Sequence, residues 1–199
     1  MHNIGNDIVD LKLAETESNW QRKGFLEKQF TQKEQEEILN AEQPFLTVWL
    51  FWSMKEAGYK CYTQRVEKRF FAPQKFECSI LSKKEGLVVF EDTTFYTTTI
   101  CTKFYMHTVA KEAQEERLFF SGIGFSKTIQ IALKIKLAAE TEISIEEIEK
   151  IKTSVGAPLF YNKQKLLTKS CSISHHGNYG AFVFTLKKES KKKEICSSN

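Results

Sequence analysis

Lys55, Glu56 and Lys60 fall in one short interval, directly behind the apolar run Val48-Trp49-Leu50-Phe51-Trp52. On a helix, Glu56 and Lys60 are four apart and share a face, with Trp52 one turn earlier on the same stripe. A carboxylate and an ammonium held against apolar bulk suit a site that binds a metal and a phosphate. The same spacing also describes an ion pair on a solvated helix face, contributing roughly 0.2–0.5 kcal/mol. Asp7 is a second candidate, because it interrupts the apolar segment Ile4-Gly5-Asn6-Asp7-Ile8-Val9-Asp10-Leu11. A buried carboxylate must be paired or must coordinate a cation. The competing role for Asp7 is a turn or a helix cap, common for Asp near Gly and Asn. Ser172-Ile173-Ser174-His175 is the third patch.

Each patch needs an element to hold it. Ile4, Ile8, Val9 and Leu11 predict a short buried strand, with Gly5 allowing another backbone to approach closely. Two helical patterns follow between Ser18 and Ala41. The second opens on the capping box Thr31-Gln32-Lys33-Glu34 and stops before Gln43-Pro44. A helix from about Thr47 to Gln64 carries Glu56 and Lys60. Gly58 inside it costs about 1 kcal/mol relative to Ala, which points to tight packing at that position. After Pro73, the segments Phe76–Leu81, Gly86–Phe90 and Thr93–Ala110 are rich in β-branched and aromatic residues. They predict a meander of antiparallel strands, with His107 as a strand residue.

Lys111 to Arg117 is a charged connector. Beyond it, Leu118–Phe125 is expected to be a strand and Ser126–Ala139 a helix. Ser144-Ile145-Glu146-Glu147 is a second capping box and predicts a helix running to near Val155. Gly156-Ala157-Pro158 then leads into extended chain. The final element is a pair of strands joined at Gly177-Asn178. The expected division is a first half over 1–114, a second half over 115–188 and a basic, disordered tail over 189–199.

Composition narrows the class. With 199 residues, 41% hydrophobic and 27% charged, the chain has ample length for a core and the make-up of an ordinary soluble protein. No apolar run approaches the ~20 residues of a membrane span. The first ten residues lack a basic-then-apolar signal, so a cytoplasmic location is expected. Five cysteines without a C-x-x-C pair predict reduced thiols rather than a disulfide framework or a zinc site. The net charge is +4, much of it from Lys187-Lys188 and Lys191-Lys192-Lys193. No zinc finger, basic heptad helix or aromatic–basic interleaving points to nucleic acid.

Taken together, Gly5-Asn6-Asp7-Ile8-Val9, Lys55-Glu56-Ala57-Gly58-Tyr59-Lys60 and Ser172-Ile173-Ser174-His175 resemble the signature of the 4'-phosphopantetheinyl transferase superfamily. The resemblance spans Gly5 to Ala181. It implies an α+β fold, antiparallel sheets packed with helices, as a pseudo-twofold pair of similar halves. It also implies transfer of phosphopantetheine from coenzyme A to a serine of an apo acyl or peptidyl carrier protein. Magnesium is required and 3',5'-ADP is released. By resemblance, Asp7 and Glu56 hold the metal and Glu56 and Lys60 are catalytic. Lys55, Lys60, Ser174 and His175 contact coenzyme A, and either Glu56 or a magnesium-bound water takes the serine proton.

Three positions depart from the family pattern. Val9 stands where some members have a third acid, Leu13 where the smaller synthases have Arg, and Ala157 where a Gly-Lys-Pro motif has its lysine. The order of motifs favours a monomeric, permuted pseudo-dimer with one site between the halves. A homotrimer with an enlarged strand insertion is the alternative. A catalytically silent relative that binds coenzyme A or a carrier is the alternative function.

Overall fold

Strand β1 (Ile4–Asp10) is buried along its whole length, and the rest of the chain is arranged around it. The computed structural model describes residues 3–70, 72–112 and 118–187. The expected tail over 189–199 and most of the charged connector lie outside them. After β1 come three short helices, α1 (Leu11–Glu17), α2 (Phe25–Gln29) and α3 (Gln32–Asn40), and then the long α4 (Pro44–Val66). Strands β2 (Glu77–Ile80), β3 (Glu85–Phe90), β4 (Thr93–Cys101) and β5 (Tyr105–Lys111) complete the first part. They form an antiparallel sheet in the order β1-β5-β4-β3-β2, so the leading strand pairs with the last. Asp7 lies opposite Thr108 in that ladder, and Ile8 opposite His107.

The second part holds β6 (Phe120–Phe125), α5 (Ile129–Thr141), β7 (Ile148–Lys152), β8 (Pro158–Asn162), β9 (Lys165–Leu166), β10 (Thr168–His176) and β11 (Tyr179–Leu186). Its strands form two three-stranded sheets, β10-β11-β6 and β7-β8-β9. Here too the leading strand, β6, pairs antiparallel with the last, β11. The chain is α+β, with antiparallel sheets packed against helices.

α4 is apolar on most of its circumference because it is covered on more than one side. Phe51, Met54, Ala57 and Cys61 are buried with Val88 and Phe95 of the sheet, while Phe30 and Ile38 come from the helical excursion. The Thr31–Glu34 capping box forms with both reciprocal bonds. Proline does not delay the next helix: Pro44 takes its first turn, where a missing N–H is harmless. Gly58 meets Val88, since a Cβ there would lie 3.2 Å from its Cγ1. Helix α1 was not expected from the sequence. Its N-cap is Asp10, whose Oδ1 accepts from the Leu13 amide at 3.1 Å. Capping therefore falls to Asp10 and not to Asp7.

One expected helix does not form. Ser144-Ile145-Glu146-Glu147 opens only a single 3-10 turn, and Ser144 donates to the Glu146 side chain instead of capping the backbone. Residues 148–152 then become β7, paired antiparallel with β8. The turn between them needs Gly156 at φ +82°, and Thr153 and Ala157 close it through an amide–carbonyl bond of 2.9 Å. Strand pairing overrides the local helical spacing of Ile145, Ile148 and Ile151.

The two parts meet along the free edge of β1. The amides of Ile4 and Asn6 donate to Ser170 Oγ (2.9 Å) and Ser172 Oγ (3.2 Å), and that of Asp10 donates to His176 Nδ1 (2.9 Å). Alternate side chains of β10 thus satisfy backbone donors that no neighbouring strand reaches. Gln64 of α4 adds a bridge, donating to Ile4 O (2.8 Å) and accepting from Ser170 Oγ (2.7 Å). Ile4, Val109 and Val183 close the joint with a small apolar cluster.

Candidate active site

The site follows from one backbone crossing. A Cβ placed on Gly5 would lie 2.1 Å from Ala57 O and 2.6 Å from Cys61 N. Only glycine lets β1 rest directly on the α4 backbone there. Asp7 is two residues further on and so on the same side of the strand. Glu56 and Lys60 each lie beside the two helix residues that Gly5 touches. The crossing therefore brings Asp7 to Glu56 and Lys60, although they are far apart in the chain.

Lys60 Nζ is 2.8 Å from Asp7 Oδ1. Burial pushes the Asp7 carboxyl above its usual range, and the Lys60 charge offsets only part of that push. Glu56 is also raised, first by burial and then by the negative charge of Asp7, with Lys60 again opposing. Glu56 makes no hydrogen bond or ion pair among the described residues. Two carboxylates thus share one ammonium in a partly desolvated place, an arrangement short of positive charge.

A divalent cation fits that deficit. No group of three or more His, Cys, Asp or Glu suited to a metal occurs among the described residues. Two acids plus substrate oxygens and waters are a usual set for magnesium, so a pair suffices. A third acid has no room at position 9, because Val9 is buried in the apolar core.

Lys55, expected to contact coenzyme A, has its ammonium committed to other groups. Its ammonium is 2.8 Å from Glu34 Oε2 and donates to Pro73 O (3.0 Å) and Phe76 O (2.5 Å). A lysine has three N–H donors, and all three are taken. Both Lys55 and Glu34 are buried, at 3% and 1% side-chain exposure. Glu34 is further fixed by the amides of Thr31 and Cys78. Lys55 is a structural cation that pins the 73–78 segment to α3 and α4.

Ser174 is buried, and its Oγ accepts from Asn6 Nδ2 at 3.0 Å. That places it one residue from Asp7 in the chain. His175, on the other side of β10, is exposed. The structure therefore brings Asp7, Glu56 and Lys60 together and ties Ser174 to the same strand, while Lys55 lines a pocket beside Glu56 with its ammonium committed to Glu34, Pro73 and Phe76.

A cavity of about 280 Å³ opens next to Lys60, between the end of α4, the 155–158 turn and β10. Tyr59, Arg69, Gly156 and Ser172 are among its walls. A smaller pocket of about 100 Å³ lies on the other side of Tyr59, with Glu56, Phe70 and Phe76 in its lining. The sequence reading missed Arg69, Gln64 and His176. Gln64 follows Lys60 by one helical turn, and His176 continues the every-second-residue series Ser170, Ser172, Ser174. Both signals are periodic ones.

The sequence profile of the 4'-phosphopantetheinyl transferase superfamily matches residues 3–116, from β1 through the first sheet. The chain belongs to that superfamily. Its general activity is therefore transfer of phosphopantetheine, with coenzyme A and a carrier protein as the partners the family implies. Comparison with curated protein sequences gave no match. No helix among the described residues is long and apolar enough to cross a membrane.

Proposed function

We propose that this chain moves 4'-phosphopantetheine from coenzyme A to a serine of an apo acyl or peptidyl carrier protein, in the cytoplasm, with magnesium. The observation that carries the reading is the convergence of Asp7, Glu56 and Lys60 where Gly5 lets β1 cross α4. Asp7 and Glu56 would hold the metal, which when bound neutralises charge on the pyrophosphate oxygens. Lys60 supplies a fixed positive charge at the same place. Glu56, raised by burial and by Asp7, is suited to take the proton of the carrier serine. The serine oxygen forms a bond to the phosphorus that carries the pantetheine arm. The bond from that phosphorus to the bridging oxygen breaks, and the bridging oxygen leaves with 3',5'-ADP. His175 and Ser174, on the strand that docks against β1, would contact the nucleotide side of coenzyme A.

We further infer two similar halves in one monomer, residues 1–114 carrying metal and catalysis and 115–188 carrying coenzyme A contacts. Matching strand order supports this, since in each half the leading strand pairs with the last. Incubation with coenzyme A, magnesium and apo-carrier proteins tests the reading by intact mass. A gain matching phosphopantetheine, lost in Glu56→Gln and Asp7→Asn, is expected. No gain on any of several carriers overturns it in favour of a coenzyme A- or carrier-binding protein. A trimer by light scattering overturns the monomer.

A further inference from the structure

We propose that Arg69 is a phosphate-binding residue of the cavity between the two parts, gripping the substrate while it holds the 153–157 turn. This rests on coenzyme A being the substrate. Among the described residues, Lys60 and Arg69 are the only charged ones in the cavity lining, and no carboxylate lines it. The cavity is therefore built for an anion. Lys60 gives one of its three donors to Asp7, and Arg69 adds a second cation whose two amino groups are unengaged among the described residues.

Arg69 Nε donates to Val155 O at 2.9 Å, across the joint between the parts. Its two amino groups have no hydrogen-bond partner among the described residues. A guanidinium fixed at Nε presents those groups as a preformed fork, the geometry that grips phosphate. The backbone beneath it is fixed too. Phe70 packs on Tyr59 at 5.4 Å between ring centroids and on Phe90 at 5.4 Å, so the segment leaving α4 is anchored. Gly156 makes space for the fork, because a Cβ there would lie 2.3 Å from Arg69 Nη2. The turn has Ala157 where a lysine would otherwise stand, and Arg69 delivers a cation to the same turn from the other half.

The test is calorimetric binding of coenzyme A and 3'-dephospho-coenzyme A to wild type, Arg69→Met, Arg69→Lys and Gly156→Ala. Arg69→Met is expected to weaken coenzyme A about 10- to 100-fold, the range of a charged hydrogen-bond pair. Arg69→Lys should fall between, since a point charge lacks the fork. Gly156→Ala should weaken binding in the same direction without changing any charge. Because Arg69 is exposed, Arg69→Met should leave the melting temperature within about 2 °C. Equal losses for both ligands place the fork on the pyrophosphate. A loss confined to coenzyme A places it on the 3'-phosphate. Arg69→Met binding both ligands within twofold of wild type overturns the assignment, even where wild type transfers phosphopantetheine. Should wild type neither bind coenzyme A nor modify a carrier, the functional reading fails separately. Inorganic pyrophosphate then decides on Arg69 alone, with tenfold weaker binding in Arg69→Met supporting it and equal or absent binding overturning it.

Discussion

Lys55→Met separates a structural lysine from a ligand contact. The substitution keeps the aliphatic stem and removes the ammonium, leaving Glu34 buried with its two amide donors but no counterion. Pro73 O and Phe76 O lose their donor at the same time. Removing one partner of a buried pair costs about 3–5 kcal/mol, because the remaining charge stays desolvated. A chain of this size loses about 2–4 °C for each kcal/mol, so the melting temperature should drop by about 6–20 °C. Against a total stability of about 5–15 kcal/mol, the variant is expected to fold below that transition. Calorimetric binding of coenzyme A by the folded protein should then match wild type. Replacing both partners, as Glu34→Gln with Lys55→Met, should recover part of the lost stability, since neither charge is left alone. A melting temperature within about 2 °C of wild type, combined with tenfold weaker coenzyme A binding, refutes the assignment and makes Lys55 a ligand contact.

Gly5→Ala should lower kcat/KM about 100-fold without removing any side chain of the candidate site. Its Cβ would strike Ala57 O and push β1 off α4, and displacements near 1 Å carry losses of that order; steady-state kinetics on a modified carrier checks it. His107 is held neutral, its pKa lowered to about 4 by burial first and the Lys60 charge second. With an unfolded value near 6.5, its contribution is fully present above pH 6.5 and is lost as pH falls toward 4. The total is about 3 kcal/mol. Denaturant melts from pH 7 to 4 should show that slope in wild type and a flatter one in His107→Gln. Among the four described cysteines, Cys101 alone is exposed, while burial pushes the thiols of Cys61, Cys78 and Cys171 up. Thiol labelling of native protein followed by peptide mass analysis should mark Cys101 ahead of Cys61, Cys78 and Cys171.

The elements of the first part were legible because their signals are local. Strand β1, the capping box at Thr31, the helix carrying Glu56 and Lys60, and the meander after Pro73 all form near their expected limits. The failure at 144–155 has a physical cause. The helical spacing of three isoleucines competed with a strand partner reached only through the Gly156 turn, and that partner won. Helix α1 was hidden for the opposite reason. Its cap, Asp10, sits inside what looks like one continuous apolar segment running on through Leu11.

Lys55 shows where residue type stops being informative. Lys55 and Lys60 flank the same Glu56, and nothing in the local sequence separates a buried counterion from a site cation. The separation comes from α3, which delivers Glu34 to one lysine, and from β1, which delivers Asp7 to the other. Both deliveries depend on long-range packing, and the second on a single missing Cβ at Gly5. The Ser-x-Ser series on β10 carries a related lesson. Ser170, Ser172 and Ser174 are spaced for one face of a strand, and that face joins β1 by hydrogen bonds to its backbone and to Asn6. The joint holds in register the strand that bears Asp7. A substitution such as Ser172→Val should therefore weaken catalysis through Asp7 even without a lost ligand contact, because an unpaired Asn6 amide costs about 1–3 kcal/mol and loosens the edge of β1.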